Sequence, residues 1–102
     1  MLMSNCVDAL IPPSRLVAET RAEFRRGALE HVSQAADRGD SRIMIDLGGT
    51  TEIDASGLGI LLFVNTRARE HGLTTHLVHV PQSVRGLLEL TKLSHIFAEV
   101  SA

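Results

Sequence analysis

The 102-residue chain has one cysteine, three prolines, three phenylalanines, and neither tryptophan nor tyrosine. A single cysteine, Cys6, cannot close an internal disulfide, so the thiol reads as the reduced one of an intracellular protein. With so few aromatics, Leu, Ile, Val and Ala must fill the core. The stacking platforms of single-strand nucleic-acid binders are missing as well. A formal net charge of −2 lacks the basic excess that duplex binding requires. The densest apolar run, "ILLFV", is far shorter than the ~20 residues that span a bilayer. The start "MLMSNCVDALIPP" has no basic stretch and no long apolar run, so no secretory leader is expected. A cytoplasmic protein with no nucleic-acid binding and no membrane insertion is the expectation.

What the chain does have is 44% apolar and 22% charged residues, the composition of one compact domain over 1–102. No internal repeat is visible. Pro12 and Pro13 forbid a helix across that point, so 1–13 is expected to be irregular. A short extended piece around Arg15 to Val17 follows. From Ala18 to Asp37 the apolar positions Phe24, Ala28, Val32 and Ala35 recur at three- and four-residue steps, which predicts an amphipathic helix ended by "DRGD". Its basic run "RAEFRR" reads as a solvated face. "RIMIDL" reads as a strand buried on both faces, and "GGTTE" as a loop. A second helix is expected from Asp54 to His71, a strand at "TTHLVHV", and a third helix from Pro81 to about Leu93. "HIFAEV" is a final short strand or edge. Strand, helix, strand, helix, strand in that order is an α/β domain with parallel crossovers. The expected sheet has about four strands and is mixed but mostly parallel.

The stretch "EIDASGLGILLFV", residues 52–64, is the densest concentration of chemistry. It is not a nucleophile elbow, which needs G-x-S-x-G with a base and a carboxylate brought near. It also lacks the lysine of a phosphate-binding loop and the third glycine of a dinucleotide fingerprint. His76 and His79 are three apart on an expected strand, hence on opposite faces, and His31, His71 and His95 stand alone. No catalytic residue, metal site or cofactor is therefore expected. Asp54 and Ser56 suit the cap of a helix. On that helix Gly57, Leu61, Val64 and Ala68 share the face that should meet the sheet. Ser56, Ile60, Phe63 and Arg67 fall on another. Ile60 and Phe63 are then surplus apolar groups in line with a hydroxyl, covered either by a neighbouring helix or by a partner, with Gly59 leaving room for close approach.

The segment from "IMIDLGGTTEIDASGLG" through "HLVHV" to "VRGLLELTKLSHIF" resembles the STAS domain, named for sulfate transporters and anti-sigma factor antagonists. A D-[SAT]-[ST]-G-L block joined to L-x-x-L-T-x-L carries the likeness. The resemblance implies a single STAS-like domain in a bacterial anti-sigma factor antagonist. It also implies a serine-kinase/anti-sigma factor as partner, a phosphatase that resets the switch, and a monomer or weak dimer. By position, Ser56 would be the phosphoacceptor and Asp54 its assisting acid. Thr50, Thr51, Glu52, Gly57, Gly59, Ile60, Phe63 and Arg67 would form the docking surface. Ala55 replaces the first hydroxyl of the family's serine pair, leaving Ser56 alone in the block. Members place two strands ahead of the first helix, and this sequence leaves room for one short strand, so a shortened N-terminal strand region is expected. The alternative implied by the same likeness is an accessory docking subunit of a transporter ATPase or larger signalling complex, without kinase control.

Overall fold

The computed structural model describes residues 8–102. Two strands of two residues each come first, β1 (Ala9–Leu10) and β2 (Arg15–Leu16). Both fit because each pairs for two residues alone, and Pro12-Pro13 separates them with residues that break a ladder. The N-terminal strand region is short, as expected, but it holds two strands where one was expected, and β1 falls inside 8–13, where no regular element was expected. Residues 1–7, with Cys6, lie outside the described residues.

Helix α1 (Arg21–Asp37) buries Phe24, Ala28, Val32 and Ala35, the stripe expected of it. It starts three residues later than its periodicity suggests. Thr20 Oγ1 donates to the carbonyl of Arg15 at 2.7 Å and accepts from the N–H of Val17 at 3.1 Å, holding 17–20 as a turn. Strands β3 (Arg42–Asp46) and β4 (Glu52–Ile53), helix α2 (Ala55–Glu70) and strand β5 (Thr74–Val78) follow. The chain continues through α3 (Gln82–Leu90), a 3-10 turn at Ser94–Ile96 and β6 (Glu99–Val100). Three expected ends are thus trimmed. β5 stops before His79, whose φ of 53° leaves the strand region, and α3 stops before Lys92 at φ 59°. Most of "HIFAEV" is turn rather than strand.

The main sheet has the order β1-β3-β5-β6, and β2 and β4 form a separate pair. Every pairing is parallel, so no antiparallel neighbour occurs among the described residues. Ile43, Ile45 and Leu77 point into one continuous core with Leu61, Val64 and Leu88, all at 1% exposure or less. The alternate residues Met44, Asp46, His76 and Val78 are partly exposed. β3 is therefore fully buried on one face, not on both as its composition suggested.

Candidate functional site

The β2–β4 pair determines where the site is. The carbonyl of Ser14 accepts from the N–H groups of Thr51 and Glu52, and that of Leu16 from Asp54. These bonds bring the turn ahead of α1 beside the first turn of α2. Asp54 completes the join. Its Oδ1 accepts from the N–H of Gly57 at 2.9 Å, capping α2, and its Oδ2 accepts from the N–H of Ala18 at 3.3 Å. Gly57 permits the contact, because a Cβ there would lie 2.0 Å from the Leu16 carbonyl oxygen. The two helices then run side by side and leave a groove between them. Arg21, Ala22, Arg25, Arg26 and Leu29 of α1 line one wall, and Ser56, Gly59, Ile60 and Phe63 of α2 line the other.

Ser56 is partly exposed in the second position of α2, at the mouth of this groove. Gly59 is exposed on the same wall, with nothing within 4 Å of where its Cβ would be. Phe63 is half-buried, and the guanidinium carbon of Arg25 lies 4.6 Å from its ring centroid. Ile60 is 7% exposed. Of the two ways to cover the surplus apolar groups, the neighbouring helix accounts for Ile60.

Three expected docking residues are turned inward, which corrects their assignment to a contact surface. Ile60 is one. Thr50, 1% exposed, donates from Oγ1 to the carbonyl of Pro13 at 3.1 Å. Gly57 is buried against β2. Thr51 and Glu52 are exposed outside the groove, and Glu52 is paired with Arg15 at 2.9 Å. Arg67 is exposed further along α2, 3.6 Å from Glu70. What the sequence reading missed is the opposite wall. Arg21, Arg25 and Arg26 are exposed, as a solvated face should be, but with Ala22 and Leu29 that face also lines the groove, and Ala22, Arg25, Arg26 and Leu29 follow a helical stripe of their own. That second stripe was the available signal.

Electrostatically, the hydrogen bond from the Gly57 N–H holds the Asp54 carboxyl below the usual carboxylate range, against an opposing effect of desolvation and with further help from the N–H groups of Ala18 and Ser56. Asp46, at the end of β3, is lowered in the same way by the Gly48 N–H, with His79 Nδ1 also close at 3.2 Å. A carboxyl lowered on folding stabilises the fold above its ordinary pKa, about 3.9. That stabilisation is lost as pH falls through the depressed value. Asp54→Ala should therefore lower the melting temperature at pH 7 by about 4–8 °C, the effect of losing one helix cap. The gap to the parent should close below about pH 4. Thermal melts between pH 7 and pH 2.5 check this, and a gap unchanged with pH would show that the carboxylate is not the cap.

Among the described residues no group of His, Cys, Asp and Glu could hold a metal ion. No helix among them is long and apolar enough to cross a membrane.

The family model described as "Mlab, STAS domain" matches residues 14–99. The chain belongs to the STAS domain family. None of the curated proteins matches it. Among solved structures, this STAS domain is similar to a crystal structure of a Thermotoga maritima protein provisionally assigned as an anti-sigma factor antagonist. The TM-score is 0.75 at 20% identity, over 94% of this chain and 82% of that one. An NMR structure of the same protein gives 0.75 at 22% identity, over 99% and 78%. At these identities the likeness is one of fold. The described residues of this chain form one STAS domain with a four-stranded parallel sheet and three helices.

Proposed function

We propose that this STAS domain is an anti-sigma factor antagonist of a partner-switching pathway, with Ser56 as its phosphoacceptor. In the unmodified state it binds a serine kinase that doubles as an anti-sigma factor, and so frees the sigma factor. Phosphorylation ends the binding, and a phosphatase restores it. The pathway operates in the cytoplasm of a bacterium. The observation that carries this reading is the position of Ser56. It is a partly exposed hydroxyl on the first turn of α2, at the mouth of a groove with apolar surface. The fold likeness to the Thermotoga maritima protein supports the same class.

In the modifying step the kinase transfers the terminal phosphoryl group of ATP to Ser56 Oγ. The hydroxyl proton passes to a base of the kinase, and ADP leaves. Asp54 assists by fixing the helix start. Its two oxygens already accept N–H bonds and its pKa is lowered, so it is a poor proton acceptor. A helix N-terminus accommodates the added negative charge, so the fold is retained. Ser56, Gly59 and Phe63 form the centre of the docking face, with Thr51, Glu52 and Arg67 around it.

Incubation with ATP and each serine kinase of the source organism, followed by intact-mass measurement, tests the proposal. The expected result is a gain of one phosphate that disappears in Ser56→Ala. No gain with any kinase, together with stable binding to a transporter ATPase, would establish the alternative of an accessory docking subunit.

A further inference from the structure

The lining of the α1–α2 groove carries three guanidinium groups, from Arg21, Arg25 and Arg26, and no carboxylate. This is notable in a chain of net charge −2. Three arginines elsewhere are paired with carboxylates, Arg15 with Glu52, Arg38 with Asp40 and Arg67 with Glu70, while Arg42, Arg69 and Arg85 form no salt bridge among the described residues. Among the described residues, no salt bridge involves any of the three groove arginines. Arg25 lies over the Phe63 ring instead. Glu23 and Glu30 lie on the same helix, but neither lines the groove, where the three guanidinium groups stand without a carboxylate. The opposite wall contributes one hydroxyl, that of Ser56.

We propose that Arg21, Arg25 and Arg26 are the receptor, within the same chain, for a phosphoryl group carried by Ser56. The proposal rests on the reading of Ser56 as the modified residue. A phosphoserine presents three acceptor oxygens and about two negative charges, and the forked guanidinium matches that geometry in a way a lysine ammonium does not. Arg25 has to leave Phe63 to take part. An exposed cation–π contact is weak compared with charge-assisted hydrogen bonds to phosphate, so the exchange is favourable. Asp54 works against it, but both of its oxygens are engaged by N–H groups. The modified groove falls from three positive charges to roughly one, and its mouth is occupied by its own phosphate. Release of a partner then has two causes, the charge placed on Ser56 and the removal of the guanidinium groups from the contact surface.

The experiment uses protein carrying phosphoserine at residue 56 by genetic encoding, which needs no kinase. It is compared with the same protein bearing Arg21→Gln, Arg25→Gln and Arg26→Gln together, and with Arg21→Gln alone in case the triple variant is unstable. A ³¹P NMR titration reads the second phosphate ionisation, which lies near pH 6 in an unstructured phosphoserine. The expected midpoint in the parent is at least about half a unit lower than in the triple variant, with the single variant between them, and 1 M salt should shrink the difference. Equal midpoints in parent and variants would overturn the receptor. The kinase assay above is independent, so a receptor in a protein that no kinase modifies would be recognised as such.

Discussion

Gly57→Ala is expected to lower the melting temperature by roughly 8–16 °C, following from a net loss of about 2 kcal/mol. Helix propensity alone favours the substitution by ~1 kcal/mol. It is outweighed because the new methyl group would sit 2.0 Å from the Leu16 carbonyl oxygen and 2.9 Å from Ile53 Cγ1. A backbone oxygen cannot rotate away, so the start of α2 must lift off β2 at an overpacking cost of about 3 kcal/mol. Gly59→Ala is the control two residues along. Its Cβ would meet nothing within 4 Å, so the propensity gain should remain and stability should rise slightly. Thermal melts of the two variants side by side decide the matter. Equal stabilities would mean that β2 and α2 leave room for a methyl group at residue 57.

Phosphorylation of Ser56 is expected to weaken binding of the proposed serine-kinase partner about 100-fold, equivalent to ~3 kcal/mol. A surface built to cover a neutral hydroxyl would have to strip water from a dianion. Ser56→Asp should act in the same direction with a smaller charge, and Ser56→Ala should bind like the parent. Because the partly exposed hydroxyl lies outside the core, the far-ultraviolet circular dichroism should be nearly the same in all four forms. Isothermal calorimetry measures the affinities. Undiminished binding by the phosphorylated form would remove the switch and leave the fold assignment intact.

The elements of this fold were legible because their signals are local. Phe24, Ala28, Val32 and Ala35 form a helical stripe by spacing alone, as do Gly57, Leu61, Val64 and Ala68, and all eight are buried. The groove was not legible. It exists because β2 and β4, two residues each, pair across 37 positions of sequence, and strands that short leave no periodicity to read. Thr50 failed for a related reason. A threonine in "GGTTE" reads as loop surface, but its side chain reaches the carbonyl of Pro13, a partner that only the folded chain places nearby. The arginines of α1 were legible as charge and illegible as a wall, since nothing in their own helix says which neighbour stands opposite.

Both margins of the four-stranded sheet, β1 and β6, are two residues long among the described residues. So few free backbone donors and acceptors make a poor template for an incoming strand. β-augmentation by a second chain is thereby discouraged, which leaves the helical layer, with the groove between α1 and α2, as the broader surface for any association.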